Sequence, residues 1–144
     1  MAFQRKRKSF LPTNADVLKG RKILLVEDHQ VSQRMTSFIV EQEGVDCVAV
    51  GTGEEALEQF ATNDFDVVLM DINLPKMSGE DAIIGIREFE EANLKKRTPI
   101  IVVTGTQAAP KGPEVSLFHG AEAVVIKPFT RYELLDKMTK VLTR

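Results

Sequence analysis

The sequence predicts an α/β fold, a five-stranded parallel sheet with helices on both faces. Two sequence patterns alternate from Lys22 onward. One is a short continuous apolar run, and the other is a longer stretch whose apolar residues recur at helical spacing. Continuous apolar runs are typical of strands buried on both faces, and a regular alternation of strands and helices favours parallel pairing. The 144 residues, of which 43% are hydrophobic, are enough for one domain with its own core.

The five predicted strands are apolar runs bounded by turn residues or charged residues. Gly44 stops the chain before the second strand, and Asp71 ends the third. In chain order the strands cover residues 23–26, 45–50, 65–70, 99–103 and 123–126.

The predicted helices fill the intervals between the strands. Thr52 with Glu55, and Thr130 with Glu133, have the spacing of a capping box at a helix start. A short, poorly marked helix is expected after a loop rich in glycine and proline at residues 105–113. The other four helices carry apolar stripes made of Val31, Met35, Phe38 and Ile39; Ala56, Leu57, Phe60 and Ala61; Ala82, Ile83, Ile86 and Phe89; and Leu134, Leu135, Met138, Val141 and Leu142.

Charge divides the chain into a basic start and an acidic body. The formal net charge is −2, but residues 1–20 hold five basic residues and one acidic residue. This segment also lacks regular periodicity, so we interpret it as a tail or linker and place the domain at residues 21–144. The basic run at residues 5–8 is typical of a solvated tail, and no direct binding of nucleic acid is expected.

Composition excludes several classes of protein. No apolar run approaches the roughly 18 residues of a membrane helix, and no apolar segment follows the basic start as it would in a secretory signal. Cys47 is the only cysteine, which excludes an internal disulfide, and the presence of only two histidines disfavours a histidine-based zinc site. We therefore expect a soluble, cytoplasmic domain.

Polar residues follow four of the five predicted strands. Glu27 and Asp28 come after the first strand, Asp71 after the third, Thr104 after the fourth and Lys127 after the fifth. Ligands of open parallel sheets bind beyond the carboxyl ends of the strands. Three carboxylates, one hydroxyl and one ammonium group are therefore expected to meet at one edge of the sheet.

Three carboxylates at one edge repel one another unless a cation offsets their charge. Mg²⁺ suits such a site because it prefers hard oxygen ligands and is commonly held by one or two carboxylates. A carboxylate nucleophile, a metal, a cation and a hydroxyl together suit phosphoryl transfer. The chain has no glycine-rich phosphate loop followed by Lys and Ser or Thr, which excludes a P-loop nucleoside triphosphatase.

The motifs that carry these residues resemble the receiver domain of two-component response regulators and of hybrid histidine kinases. The matching stretches are residues 25–28 (LVED), 70–79 (MDINLPKMSG), 99–105 (PIIVVTG) and 120–129 (GAEAVVIKPF). The four stretches occur in the order and at the spacing of the family. The resemblance spans about residues 21–144, essentially the whole predicted domain. The resemblance implies the (βα)5 flavodoxin-like fold of receivers.

The resemblance also implies a role for each matching residue at the sheet edge. Asp71 would accept a phosphoryl group from a phosphohistidine on a histidine kinase or a histidine phosphotransfer domain. Magnesium would be the cofactor, held by Glu27, Asp28, Asp71 and the backbone carbonyl of Asn73.

A conformational switch follows from the same resemblance. Thr104 would turn toward the phosphoryl group, Lys127 would pair with it, and a cis peptide bond would join Lys127 to Pro128. The domain would catalyse only its own magnesium-dependent phosphorylation and dephosphorylation, so it is not expected to be an enzyme with a separate substrate.

Three positions depart from the pattern of the family. Val124, three residues before Lys127, stands where receivers commonly carry the aromatic residue of the switch. Gly105 replaces the usual alanine after Thr104, which adds backbone freedom to a loop that must move. The stretch at residues 89–98 is charged and somewhat long, which favours a hybrid-kinase receiver.

Two functions other than the phosphoacceptor are considered, a protein-interaction module and a phosphatase. Val124 keeps open a receiver-like protein-interaction module that works without phosphorylation. A phosphatase with an aspartyl-phosphate intermediate is disfavoured, because Asn73 stands where such enzymes usually carry a second acid.

The partner domain is expected to dock over the first helix of the predicted fold. Val31 and Met35 on that helix, with Pro128 and Phe129 in the last loop, would form the contact unless they belong to the core. The oligomeric state is left open by the sequence.

Overall fold

The computed structural model describes residues 14–105 and 120–143. Its strands are β1 (Lys22–Val26), β2 (Asp46–Val50), β3 (Val67–Asp71), β4 (Ile100–Gly105) and β5 (Ala123–Lys127). Its helices are α1 (Asn14–Leu18), α2 (Gln30–Glu41), α3 (Gly53–Thr62), α4 (Gly79–Ala92) and α5 (Arg131–Leu142). The helix predicted between β4 and β5 lies outside the described residues.

All five strands pair in parallel in the order β2–β1–β3–β4–β5. This confirms the predicted fold class. Because β1 and β3 are neighbours, and Val26 is aligned with Met70, the residues that follow them come to lie side by side. The order of the strands therefore decides which polar side chains meet at the carboxyl edge.

Each face of the sheet has its own apolar core. Ile23 and Leu25 point to the face covered by α1, α2 and α5, whereas Leu24 and Val26 point to the face covered by α3 and α4. Alternate residues of one strand are thus buried on opposite sides. This explains why the strands read as continuous apolar runs rather than as alternating patterns.

The helix starts agree with the predicted caps, with one difference in detail. At Thr130 both halves of the capping box with Glu133 are present. At Thr52 the hydroxyl oxygen accepts the N–H of Glu55 at 3.1 Å, but the Glu55 carboxylate accepts from the Thr52 hydroxyl and the Gly51 N–H instead of the Thr52 N–H. The cap at Thr52 is therefore only half of the predicted box.

Three of the four residues of the apolar stripe predicted on α2 face solvent, and the fourth, Ile39, packs against the core. Val31, Met35 and Phe38 are 61–62% exposed, whereas Thr36 and Val40 are buried against the sheet. Val31 and Met35 therefore do not belong to the core. Helical spacing shows that residues share a face, but it does not show which face packs inward.

Residues 14–18, which the sequence assigns to a tail or linker, form helix α1 and pack with the domain. Leu18 is fully buried in the core beneath α5, and Val17 is nearly buried beside it. The Arg21 Nε group donates to the carbonyl of Val17 at 2.9 Å and fixes the end of the helix. A five-residue helix has too few turns to show periodicity, so only its packing reveals it.

A network of ion pairs anchors the amino ends of β4 and β5. Glu90 is 5% exposed and accepts from Arg87 at 2.7 Å and from the N–H of Thr98 at 2.6 Å. Glu122 accepts from Arg87 at 3.0 Å and from the N–H of Ile100 at 2.7 Å. Arg87 and Glu90 near the end of α4, with Glu122 before β5, thus hold the entry to β4 at the edge opposite the polar strand ends.

No helix within the described ranges is long and apolar enough to span a membrane.

Replacing Leu18 with alanine tests whether α1 is part of the folded domain. Removal of a fully buried leucine side chain should lower the free energy of unfolding by about 2–5 kcal/mol. The same substitution at Leu94, which is 94% exposed, should change it by less than about 0.5 kcal/mol. Urea denaturation followed by far-ultraviolet circular dichroism measures both. Equal effects of the two substitutions would show that α1 does not contribute to the core.

Candidate functional site

The predicted acidic residues meet at the carboxyl edge of the sheet. Glu27 follows β1 and Asp71 ends the adjacent β3, and each offers a carboxylate oxygen that lies within 4.8 Å of the other and of an Asp28 oxygen. Glu27 and Asp71 are buried, whereas Asp28 is exposed. The order of the strands therefore places two buried carboxylates next to each other.

Lys127 supplies the positive charge that opposes this repulsion. Its Nζ atom lies 2.5 Å from Oε1 of Glu27 and 3.6 Å from Oδ2 of Asp71. The other oxygen of Glu27 accepts the N–H of His29 at 3.1 Å. The peptide bond from Lys127 to Pro128 is cis, as the resemblance implied. The ammonium is thus held mainly by Glu27 and stands next to Asp71.

Asp71 is a buried carboxylate with an unusual proton affinity. Burial raises its pKa from 3.8 to about 6, and the charge of Glu27 acts in the same direction. The N–H of Asn73, which donates to Oδ1 at 3.0 Å, and the charge of Lys127 oppose the rise in this pKa. The carboxylate is still mainly ionised at neutral pH, where it has lone pairs available for a nucleophilic reaction.

The neighbouring carboxylates also keep the side chain of Lys127 protonated. Burial lowers the pKa of Lys127, but its hydrogen bond to Glu27 and the negative charges of Asp71 and Glu27 outweigh burial. The pKa of Lys127 is therefore raised above its ordinary value, and the side chain stays cationic.

Thr104 lies fully buried at the end of β4. Its hydroxyl oxygen has no hydrogen-bond partner among the residues that the structure describes. A buried hydroxyl without a partner costs about 1–3 kcal/mol, so it favours any state that offers an acceptor. Val124 on the neighbouring β5 is partly buried and packs into the core covered by α3 and α4.

The loop from β3 to α4 is pressed tightly against the site. Gly79 donates its N–H to the carbonyl of Ile72 at 3.0 Å, and a Cβ on Gly79 would stand 2.2 Å from the carbonyl oxygen of Asp71. Only glycine permits this approach. Asn73 at the start of the loop is exposed, and its role as a carbonyl ligand stays a prediction.

Sequence reasoning missed Gln33 on α2. Its Nε2 group donates to the carbonyl of Glu27 at 2.9 Å and to the carbonyl of Val50 at 3.1 Å. A polar residue one turn into the helix after the acidic pair was the available signal. His29 caps the same helix: its ring Nδ1 accepts the N–H of Ser32 at 3.4 Å.

The donor set at this edge fits Mg²⁺. Three carboxylates offer hard oxygen atoms within 4.8 Å of one another, and one ammonium group leaves their charge only partly balanced. Mg²⁺ accepts such oxygens together with water and phosphate, whereas zinc sites usually include nitrogen or sulfur ligands. Burial of two of the three carboxylates raises the electrostatic benefit of a bound cation.

Comparison with known proteins matches residues 23–139 to the family described as the response regulator receiver domain. The CAI-1 autoinducer sensor kinase/phosphatase CqsS of Vibrio cholerae is 35% identical over 118 residues, which cover 82% of this chain and 17% of that protein. The sensory transduction protein RegX3 of Mycolicibacterium smegmatis is 33% identical over 122 residues, which cover 85% of this chain and 50% of that protein. The chain thus spans half or less of the length of these curated relatives.

A solved structure gives the same similarity in three dimensions. It is the receiver domain of the sensor histidine kinase PA1611 from Pseudomonas aeruginosa, determined with a magnesium ion coordinated in its active-site cleft. The TM-score is 0.75 at 32% identity, and the match covers 87% of this chain and 99% of that chain.

Substitution of Gly79 by alanine tests the close approach of the loop to the site. A methyl group 2.2 Å from the Asp71 carbonyl must displace backbone, so the free energy of unfolding should fall by about 1–3 kcal/mol or more. Gly105→Ala is the matched control, because a Cβ there meets no described atom within 4 Å. Thermal denaturation of both variants gives the comparison. A Gly79→Ala protein as stable as Gly105→Ala would contradict the packing.

Proposed function

Because this chain belongs to the response regulator receiver domain family, we propose that it is the phosphoacceptor of a two-component phosphorelay. One observation carries the proposal: Asp71 is a buried carboxylate with Lys127 3.6 Å away and two further carboxylates within 4.8 Å. A carboxylate in this position can act as a nucleophile while the neighbouring groups manage the charge of a phosphoryl group.

The proposed reaction is a transfer between two side chains. A carboxylate oxygen of Asp71 attacks the phosphorus atom of a phosphohistidine on the partner. The oxygen–phosphorus bond forms as the phosphorus–nitrogen bond breaks, and the electron pair of that bond returns to the imidazole nitrogen. The product is an aspartyl phosphate on Asp71, so the reaction changes the state of this chain itself.

The neighbouring side chains each have a task in this reaction. Glu27, Asp28, Asp71 and the carbonyl of Asn73 would hold Mg²⁺, which when bound would neutralise part of the charge of the carboxylates and the phosphoryl oxygens. Lys127 would exchange its contact with Glu27 for a phosphoryl oxygen.

Phosphorylation would then act as a switch. It adds nearly two negative charges and new acceptor oxygens at Asp71. The buried hydroxyl of Thr104, which lacks a partner among the described residues, would gain an acceptor. A partner that exists only in the phosphorylated state would shift an existing equilibrium between two arrangements of the Thr104 and Lys127 side chains.

We also propose where the phosphohistidine donor docks. Val31, Met35 and Phe38 form an exposed apolar stripe, hereafter the α2 stripe, that begins one residue into α2 next to the acidic site. A stripe with spacing i, i+4, i+7 fits the side of a helix on a histidine kinase or a histidine phosphotransfer domain. The loop at Pro128–Phe129 would complete the contact, since it follows Lys127 directly.

The alternative, an interaction module that works without phosphate, is not favoured. The feature in favour of such a module is Val124, which stands where receivers commonly carry an aromatic residue. The acidic cluster, the buried hydroxyl of Thr104 and the ammonium of Lys127 form a site that such a module would not need.

Asp71→Asn should abolish phosphoryl transfer, because an amide is a poor nucleophile. The measurement is transfer of radiolabelled phosphate from a phosphorylated histidine partner in the presence of Mg²⁺. Asp64→Asn is the control, since that carboxylate is 95% exposed and lies outside the site. Undiminished labelling of a folded Asp71→Asn protein would overturn the assignment of the phosphoacceptor.

Met35→Glu should weaken docking without damaging the chemistry. A charge in the middle of the α2 stripe should slow transfer from a phosphohistidine protein by about tenfold or more, as expected for a central contact worth over 1 kcal/mol. Labelling by the small donor acetyl phosphate should stay within about twofold of wild type. Ile84→Glu, on α4 at the opposite face and 53% exposed, should leave both rates unchanged. Equal loss in the two variants would place the docking surface elsewhere.

A further inference from the structure

We propose that Gln33 is a positioning residue that clamps the acidic pair Glu27–Asp28 and thereby sets the affinity of the site for Mg²⁺. This inference rests on the proposed function, because it concerns the same site. Gln33 touches none of the reacting groups; it acts through the backbone of the loop between β1 and α2.

The clamp consists of two hydrogen bonds from one side-chain amide. Nε2 of Gln33 donates to the carbonyl of Glu27 at 2.9 Å and to the carbonyl of Val50 at 3.1 Å. The N–H of Glu27 donates to the same carbonyl of Val50 at 3.0 Å. Three bonds thus join the end of β1, the end of β2 and the first turn of α2 at one point.

The Glu27 carbonyl lies beyond the last aligned pair of β1 and β2, which is Val26 with Val50. The adjacent strand therefore does not supply the N–H that this carbonyl needs, and Gln33 supplies one instead. The end of β1 is held in both position and direction, because one acceptor of the amide is the residue after β1 and the other is the last residue of β2.

The pinned backbone matters most for Asp28. Its carboxylate is exposed and makes no hydrogen bond or ion pair with any described residue, so only its backbone orients it toward Asp71. Glu27 depends on the same loop, because one of its oxygens accepts the N–H of His29 two residues further on. If the loop loosens, the three carboxylates must be ordered again when the ion binds, and affinity falls.

The first test replaces Gln33 with methionine, which has a similar length but cannot donate. The dissociation constant for Mg²⁺, measured by isothermal titration calorimetry without phosphodonor, should rise about tenfold, as for other residues that orient metal ligands. Gln30→Met is the matched control on the same helix. Gln30 is exposed, and the control should stay within about twofold of wild type.

The second readout needs no metal. Hydrogen exchange of the Glu27 and His29 amides, followed by nuclear magnetic resonance, should become faster in Gln33→Met and stay unchanged in Gln30→Met. A residue that contributes only general stability would lower the melting temperature without this local change and without weakening Mg²⁺ binding.

The outcomes separate this inference from the proposed function. A Gln33→Met protein that binds Mg²⁺ as wild type does overturns the clamp, while the phosphoacceptor assignment stands on its own test at Asp71. Wild type that fails to bind Mg²⁺ overturns both. If Gln33→Met does not fold, Gln33→Asn decides in the same way, because it keeps the amide but is one carbon too short to reach both carbonyls.

Discussion

The forced proximity of two carboxylates is the constraint on which this site depends. Because β1 and β3 are adjacent, with Val26 aligned with Met70, the backbones of Glu27 and Asp71 are held next to each other by the sheet. Their repulsion and burial create an electrostatic demand for positive charge, which Lys127 meets only in part. In the proposed function a divalent cation would offset the charge of the carboxylates, and a phosphoryl group would give the Thr104 hydroxyl an acceptor.

The rest of the fold keeps that arrangement rigid. Apolar cores on both faces of the sheet hold the strand ends, and the ion pairs of Arg87 fix the opposite edge of β4. Gly79 lets the loop after β3 press against the Asp71 backbone, where a larger residue would intrude. In the proposed mechanism Thr104 and Lys127 can therefore change partners while the described strands that carry them keep their places.

Local patterns were enough to predict the strands, the fold class and the strand-end residues at which the site lies. A continuous apolar run predicts a strand wherever it occurs, and parallel topology then brings the strand ends together. The features that escaped prediction depend on tertiary packing. Helix α1 is too short to show a period, the exposed side of α2 cannot be distinguished from its buried side by spacing, and Gln33 gains its meaning only from two carbonyls on different strands.

Helix α1 has a mechanical consequence for the start of the described domain. Leu18 is locked under α5, and Arg21 ties the end of the helix to the start of β1. Any force that acts on Asn14 is therefore passed to α5 through the buried side chain of Leu18. Helix α5 begins three residues after the Lys127–Pro128 bond, so this contact links the start of the described domain to the strand end that carries Lys127.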